Sequence, residues 1–360
     1  MGLKGLNYRK YLVFILIIVI SLTLPAGCVF LADTDRVADD MYQVFYELGY
    51  QDFFSFYERN FGLAVDDKFI LPDYYRLSDR QALKRPVMAV VENHPRSRPQ
   101  AGLEEADFVY EVLSEGGITR FLPVYYRELP EKVGPIRSVR DYIGVLSAEH
   151  GALLLHAGAS EGGYARISAD DVISLDEISR SQYYWRSSER RMPHNLFTGN
   201  DKIKDYLDGL DWQQDLSAFK FDFSNRNNPD TKRSADIEEV DLFYWGNYLV
   251  SYKYDQSSNK YDRYINNEPH KVESGQQLTA DNIVVLHADT NVIDDVGRLS
   301  VDLDSGGKGY LFDNGGKQEI RWSRNNGRIT LFDDDDQEVL IKSGRTWIQI
   351  MPVSARVEYN

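Results

Sequence analysis

The chain has 360 residues, of which 42% are hydrophobic, so it is long enough for two domains of ordinary size and apolar enough for a packed core. That composition excludes wholesale disorder. The formal net charge is −15, and because residues 1–28 carry Lys4, Arg9 and Lys10 but no acid, the remainder of the chain carries −18. An acidic body of this size repels nucleic acid and anionic membrane surfaces, so nucleic acid is not expected as a partner.

Residues 1–28 have the pattern of a lipoprotein-type signal peptide. The three positive charges precede the apolar run Tyr11–Leu24, whose 14 residues fall short of the roughly 20 that a membrane-spanning helix needs. The only cysteine, Cys28, follows the small residues Ala26 and Gly27 and resembles the acylated cysteine of a bacterial lipobox, although Pro25 departs from that pattern. We therefore expect lipidation at Cys28 and an anchor on the outer face of the cytoplasmic membrane. The alternatives are a signal peptide that is cut elsewhere and an anchor that is not cleaved.

Residues 29–82 are expected to form a tether and a short helical segment. Large apolar residues crowd Val37–Phe61, and Met41, Val44 and Leu48 fall at helical spacing. The pattern predicts two short helices that pack an aromatic face on the main domain. A helix on the membrane surface is the alternative, which the acidic content and the absence of lysine disfavour.

Residues 83–221 are predicted to form an α+β or α/β domain, because strand-like and helix-like runs alternate there. The predicted strands are Val87–Val91, Phe108–Leu113, Phe121–Tyr126 and Leu153–His156. The predicted helices are a short one within Pro99–Ala106, then Asp141–Glu149 and Asp201–Leu210.

Residues 222–234 are polar and centre on Asn-Asn-Pro-Asp, which is typical of a linker. Short strand-like runs separated by turns then fill residues 235–360, which predicts a β-rich antiparallel domain. The runs are Asp241–Tyr254, Tyr261–Ile265, Asn282–Leu286, Arg298–Leu303, Tyr310–Phe312, Glu319–Ser323, Arg328–Phe332 and Thr346–Met351.

Arginines gather at the ends of the strand-like runs in the first domain, and Arg120, Arg137 and Arg140 are the main candidates for an anion site. The guanidinium group is permanently charged and offers a planar fork of donors to phosphate or carboxylate. Residues 84–141 hold as many acids as bases, nine of each, whereas the chain as a whole is strongly acidic. The alternative is structural ion pairing, of Arg120 with Glu115 and of Arg140 with Asp141.

Further candidates lie in the aromatic and basic segment 183–195 and at the end of a strand. Arg186, Arg190, His194 and Asn195 could hold an anion while neighbouring aromatic rings stack on sugars. The alternative is a loop that its aromatic residues fix to the domain. His156 follows an apolar run, which favours a buried, hydrogen-bonded histidine over a ligand.

A weak catalytic signal is Ser160, which is the serine of a GxSxG match that follows a strand. A hydrolase would recruit Asp176 and His194 as its other two groups. The histidines are scattered without metal-ligand spacing, and neither a Walker A motif nor a dinucleotide fingerprint is present, so neither a metal nor a cofactor is expected.

Several motifs together resemble the YerB-like family of bacterial lipoproteins, a family defined by a domain of unknown function with N- and C-terminal parts. The matching pieces are RPVMAVVENHPRSRPQAGLEEADFVYE, EGGITRF, PEKVGPIRSVRDY, HAGAS, PHNLFT, WGNY, DNIVV, GKGYLF, IRWSR and GRTWIQIMP. They span roughly Leu83 to Val353, with Glu92 where the family pattern suggests Asp. The resemblance implies an α/β-type domain followed by a β-rich domain in a membrane-anchored extracytoplasmic lipoprotein, and it implies no activity.

A fainter likeness in residue order connects Arg120, Arg137, Arg140 and His156 with the LytR–CpsA–Psr cell-wall phosphotransferases, and it is an analogy. The leading hypothesis is therefore an envelope lipoprotein that binds an anionic wall polymer or an envelope protein without catalysis. The competing hypothesis is a cell-wall phosphotransferase or hydrolase that uses the same arginines. A third hypothesis assigns the function to the β-rich domain, with Trp245, Trp322 and Trp347 as core or contact residues, of which core is favoured.

Overall fold

The computed structural model describes residue 83 and residues 85–210, 223–224, 237–325, 327–342 and 344–360. Predictions for the signal peptide, Cys28, the helical segment Val37–Phe61 and most of the linker lie outside these residues. All of the described residues belong to one compact unit.

Three α-helices are found among the described residues: α1 Asp141–His150, α2 Glu161–Ala169 and α3 Asn200–Asp208. The strands of the N-terminal region are β1 Val87–Ala89, β2 Val91–Glu92, β3 Phe108–Leu113, β4 Thr119–Tyr125, β5 Leu153–His156, β6 Ser174–Asp176, β7 Trp185–Arg186 and β8 Leu196–Phe197. None of the described helices has both the length and the apolar character of a membrane span.

The C-terminal region consists of strands and turns. Its strands, together with the short β9, are β9 Phe223–Ser224, β10 Glu239–Trp245, β11 Tyr248–Asp255, β12 Lys260–Ile265, β13 Glu268–Pro269, β14 Thr279–Ala280, β15 Asn282–Ala288, β16 Thr290–Val292, β17 Leu299–Val301, β18 Gly307–Asp313, β19 Gly316–Asn325, β20 Arg328–Phe332, β21 Ile341–Lys342, β22 Thr346–Pro352 and β23 Arg356–Tyr359. The predicted fold class, a mixed α/β region followed by a β-rich antiparallel region, is confirmed.

One 11-stranded sheet runs through both regions in the order β20-β19-β18-β15-β22-β3-β4-β1-β5-β6, with β2 also paired to β4. The two regions join where β22 pairs in parallel with β3, so that Thr346 lies opposite Phe108 and Ile350 opposite Val112. The domain boundaries predicted at 83–221 and 235–360 remain predictions, and the hydrogen bonding of the sheet continues across them.

Alternating residues of the central sheet face two different cores. Val87 and Ala89 pack with Val240 and Leu242 of a second sheet, whose order is β13-β12-β11-β10-β23 with β14 beside β12. Met88 and the other face of β1 pack with Ile143 and Leu146 of α1. The central sheet is therefore covered by α1 on one face and by the second sheet on the other.

Two sequence expectations about the C-terminal region are corrected. The run Asp241–Tyr254 is not one strand but the hairpin β10–β11, because Gly246 at its turn adopts a left-handed φ of 54°. Trp322 and Trp347 are buried as expected, whereas Trp245 at the tip of that hairpin is 63% exposed.

Candidate functional site: the carboxyl edge of the central sheet

The residues selected from the sequence gather at one end of the central sheet, here called the carboxyl edge and defined by Glu92, Leu113, Thr119, His156 and Asp176. Strands β1, β5 and β6 run parallel and end there. The last residues of β5 and β6, His156 and Asp176, lie opposite each other. Strand β4 is antiparallel to both β1 and β3, so β4 begins at the same edge and β3 ends there. In open α/β sheets, ligands bind outside the carboxyl ends of the strands.

Glu115 brings Arg120 and Arg140 together at this edge. Arg120 is 7% exposed, and its guanidinium donates to the Ser138 carbonyl at 2.6 Å and to Glu115 at 3.2 Å. Arg140 donates to the other oxygen of Glu115 and to the Val139 carbonyl. Burial works to raise the pKa of Glu115, but the hydrogen bond from Arg140 and the charge of Arg120 outweigh it and bring that pKa to about 2.

The expected ion pair of Arg120 with Glu115 is thus present. Arg140 pairs with Glu115 as well, whereas the Asp141 carboxylate accepts from Arg166 at 3.1 Å. Burial, followed by the nearby charge of Arg140, lowers the pKa of Arg120 to about 10. One glutamate therefore serves two close arginines, and the pair retains an excess of positive charge.

Arg137 lies in a segment that is wedged between β2 and the turn after β5. Its N–H donates to the Val90 carbonyl at 2.8 Å, and its carbonyl accepts from the Ala157 N–H at 3.0 Å. The guanidinium Nε lies 3.3 Å from Glu92, and its side chain is 33% exposed. In the described part of the chain, no hydrogen bond reaches its two terminal nitrogens. Arg137 is therefore held in place while part of its donor fork stays available.

Two histidines stack beside Arg137. The rings of His94 and His194 have centroids 4.7 Å apart and planes inclined by 14°. His194 Nδ1 lies 2.9 Å from the Glu92 carboxylate, to which it donates, so Glu92 contacts both His194 and Arg137. His94 Nδ1 accepts from the Arg96 N–H at 3.0 Å, and burial together with the charge of His194 lowers the pKa of His94. Sequence reasoning missed His94, because a histidine before a proline turn carries no pattern of its own.

His156 is not available to a ligand. Its side chain is fully buried, and burial lowers its pKa, so the ring is neutral at pH 7. Nδ1 bonds to the Gly158 carbonyl at 3.0 Å and lies 3.7 Å from Asp176. Nε2 has no hydrogen-bond partner among the described residues. The side chain of His156 is buried and supports the turn that carries Gly158.

The loop 183–195 uses its polar groups mainly to hold its own shape. Arg186 bonds to Asn195 at 3.3 Å and to Glu177 at 3.2 Å. Arg190 donates to the carbonyls of Ser97 and Pro99 and to Glu273, each at 2.6 Å, while Asn195 donates to the carbonyls of Ser187 and Arg190. Of the four residues selected here from the sequence, His194 is the one that joins the group around Arg137.

Ser160 caps α2. Its backbone is extended, with φ −69° and ψ 165°, and its oxygen accepts from the Gly163 N–H at 3.1 Å. Asp176 is engaged by the Gly158 N–H and the Tyr164 hydroxyl, both at 2.8 Å. His194 bonds to Glu92. The three groups of the GxSxG hypothesis thus each have a separate structural partner.

A buried polar network, formed by residues other than the predicted site residues, lies on the opposite face of the same edge. Arg263 of β12 and Glu111 of β3 are both fully buried and 2.5 Å apart. Arg263 also donates to Tyr252 at 3.1 Å, and its guanidinium lies 4.3 Å from the Trp347 ring centroid. Glu111 accepts from Thr119 and Tyr248 at 2.7 and 2.6 Å. The network fixes the second sheet against the central sheet.

The described residues contain no group of three or more His, Cys, Asp or Glu side chains arranged to hold a metal ion. What the edge offers chemically is a set of donors and positive charges. Arg96, Arg98, Arg120, Arg137 and Arg140 lie at or next to it, together with the acids Glu92, Glu115 and Asp176.

Comparison with known proteins finds two family models, a protein and a solved structure that are similar to this chain. The family model described as protein of unknown function (DUF3048) N-terminal domain matches residues 76–213, and its C-terminal counterpart matches residues 240–348. A protein of Bacillus subtilis (strain 168) named "Putative lipoprotein YerB" is 36% identical over 278 residues, which cover 75% of this chain and 82% of that protein. The crystal structure of the YerB protein from Bacillus subtilis aligns with a TM-score of 0.67 and 31% identity, covering 82% of this chain and 97% of the other.

Proposed function

The chain belongs to the DUF3048 family of proteins of unknown function, and we propose that it is a lipid-anchored envelope protein that binds an anionic ligand at the carboxyl edge through Arg137. The family predicted from the motifs is confirmed, and the name of the Bacillus subtilis relative supports a lipoprotein. The anionic nature of the ligand and the position of its site are proposed in addition.

The proposal rests on Arg137, because its position and the terminal N–H donors of its guanidinium fit an anion site. Two backbone hydrogen bonds fix the residue between β2 and the turn after β5. The contact with Glu92 orients the Nε side of the guanidinium, which leaves the terminal nitrogens for a ligand. Preorganised donors bind anions well because little side-chain entropy is lost on binding.

The surrounding charge supports the same site. Five arginines lie at or next to the edge against three acids, Glu92, Glu115 and Asp176, although the chain as a whole is acidic. Burial is the main cause that lowers the pKa of Arg120, and the charge of Arg140 lowers it further, as expected of two cations close together. A bound phosphate or carboxylate would offset that repulsion, and His94 and His194 would offer further donors on one side.

The proposed location follows from the N-terminal pattern. Lipidation at Cys28 would hold the protein at the outer face of the cytoplasmic membrane. A site in that position would meet anionic wall polymers or envelope proteins. Mass spectrometry of the mature N-terminus tests the anchor, since an unmodified Cys28 contradicts it.

The anion site is tested by titrating the full chain with inorganic pyrophosphate in a calorimeter. We expect Arg137→Gln to weaken binding about tenfold or more, because a hydrogen bond to a charged group contributes about 1.5–3 kcal/mol. Arg166→Gln is the matched control, because its side chain is 35% exposed against 33% for Arg137 and its partners are Asp141 at the start of α1 and Asp170 directly after α2. Equal weakening by both variants, or no binding by the parent chain, would contradict the proposal.

A second candidate is a phosphotransferase or hydrolase that acts on wall glycans, and the contact of Glu92 with His194 favours it. A carboxylate that orients a histidine is the arrangement of many general bases. Hydrolysis of bis(p-nitrophenyl) phosphate that is lost in His194→Gln and kept in Arg166→Gln would support this candidate. Pyrophosphate binding without turnover would favour the binding protein.

A further inference from the structure

Four exposed apolar side chains lie on elements that adjoin the carboxyl edge: α2, the turn after β6 and the loop that leads to His194. In the described residues 85–210, the large hydrophobic side chains that are exposed are Tyr164 at 45%, Ile178 at 70%, Trp185 at 37% and Met192 at 68%. Tyr164 lies in α2, Ile178 follows β6, and Trp185 and Met192 lie in the loop that leads to His194. Isolated exposed hydrophobic residues are normal, but a group in one place marks an interaction surface.

Two exposed arginines adjoin these apolar residues. Arg180 follows Ile178 by two positions, and Arg191 immediately precedes Met192. Neither guanidinium makes an ion pair within the part of the chain that the structure describes. Residues 177–195 hold four arginines and two glutamates, a positive balance in an acidic chain. We call Ile178, Arg180, Trp185, Arg191 and Met192 the rim.

The fold presents the rim on a rigid support. Arg190, which directly precedes Arg191 and Met192 in the chain, donates hydrogen bonds to the carbonyls of Ser97 and Pro99. Arg186 bonds to Glu177, which is the neighbour of Ile178. Trp185 stacks on Phe197 with ring centroids 6.4 Å apart. The exposed side chains therefore stay at the surface because their neighbours fix the backbone beneath them.

A second exposed apolar group in the protein has the opposite electrostatic setting. The hairpin β16–β17 exposes Val292, Ile293 and Val296 at 62–74%, but Asp294 and Asp295 lie between them. Acidic residues at such a tip oppose contact with an anionic surface, whereas arginines favour it. The two groups thus differ in charge and not in the exposure of their apolar residues.

We propose that the rim docks on a bilayer that contains anionic phospholipid. Ile178 and Met192 would enter the boundary between headgroups and acyl chains, Trp185 would lie at the interface, and Arg180 and Arg191 would contact lipid phosphates. The surface uses residues other than Arg137, so it does not depend on the proposed anion site. Because the rest of the chain is acidic, contact with the bilayer is limited to the rim.

The test uses the full chain reconstituted in vesicles, with one cysteine introduced for labelling by an environment-sensitive fluorophore (NBD). Ser179→Cys places the probe between Ile178 and Arg180, and Asn291→Cys places it on the acidic hairpin, where Asn291 is also exposed. The parent chain, labelled in parallel, corrects for any reaction at Cys28. Vesicles of phosphatidylcholine are compared with vesicles that also contain phosphatidylglycerol.

We expect the emission at position 179 to rise about twofold or more on phosphatidylglycerol vesicles, while position 291 stays in water. Ile178→Ser with Met192→Ser, and separately Arg180→Gln with Arg191→Gln, should remove the rise, whereas Val292→Ser with Ile293→Ser should not. Equal emission from positions 179 and 291 on phosphatidylglycerol vesicles would overturn the proposal. Pyrophosphate titration of the rim variants separates this result from the Arg137 site, since they should bind pyrophosphate like the parent chain.

Discussion

Replacing Glu111 with Gln keeps the shape of the side chain but removes the negative charge beside the buried Arg263. Arg263 is fully buried, and although burial works to lower its pKa, the charge of Glu111 raises it, so the guanidinium stays protonated. Its remaining contacts are neutral: Tyr252, His270 and the face of Trp347. Breaking a buried pair from one side costs about 3–5 kcal/mol, and we expect Glu111→Gln to lower the free energy of unfolding by that amount.

Urea unfolding of the full chain, followed by tryptophan fluorescence, measures this loss. Arg263→Met should cost a similar amount, and the double variant should cost less than the sum by about 2–3 kcal/mol, because neither charge is then left alone. Arg127→Met is the control, since that side chain is 52% exposed and its pair with Asp107 should contribute less than about 1 kcal/mol. If the effects of the two single variants add, or if Glu111→Gln costs no more than the control, then Glu111 and Arg263 are not a coupled buried pair that stabilises the fold.

Two further predictions concern the cap of α2 and acid stability. Ser160→Ala should lower the free energy of unfolding by about 1 kcal/mol, because it removes the N-cap of α2. A fluorophosphonate probe should not label Ser160 in the parent chain, and labelling would instead support a nucleophilic serine. His150 bonds to Tyr110 and Tyr126, and burial lowers its pKa from 6.5 to about 3. As the pH falls from about 6.5 towards 3, this histidine is therefore protonated in the unfolded chain but stays neutral in the folded chain, which lowers the free energy of unfolding. The loss of unfolding free energy between pH 7 and pH 5 should therefore be about 2 kcal/mol smaller in His150→Gln than in the parent chain, and equal losses would contradict this assignment.

Local pattern predicted the elements of the fold well and their partners less well. Phe108–Leu113 and Leu153–His156 are strands with the predicted bounds, because each is a continuous apolar run between turns. The pairing of β22 with β3 was not predicted, since about 240 residues separate the two strands and no local signal links them.

The same limit applies to the site. The pair of Arg120 and Glu115 was foreseeable because both residues belong to one hairpin connection. Arg140 was expected to pair with its neighbour Asp141, but its extended backbone directs it to Glu115 while Asp141 begins α1 and meets Arg166. Glu92 and His194 are brought together by the fold from distant segments, so their contact could not be predicted from the sequence.

Arg263 illustrates a signal that the sequence did contain. Strand β12 alternates between inward and outward positions, and Arg263 takes an inward one between Tyr261 and Ile265. A charge at an inward position requires a buried partner, but the identity of Glu111 as that partner depends on a contact across 152 positions. Trp245 shows the opposite case, because a large aromatic residue at a hairpin tip is exposed and rests one edge on Gly117.

The most direct test of the account is to locate a bound oxyanion in crystals of the protein grown with tungstate, whose anomalous scattering identifies it. The account predicts a tungsten site within hydrogen-bond distance of the terminal nitrogens of Arg137, on the side of His194, and its loss in Arg137→Gln crystals. Tungsten sites only at other positions, or a site that persists in Arg137→Gln, would contradict the claim that the carboxyl edge binds an anion through Arg137.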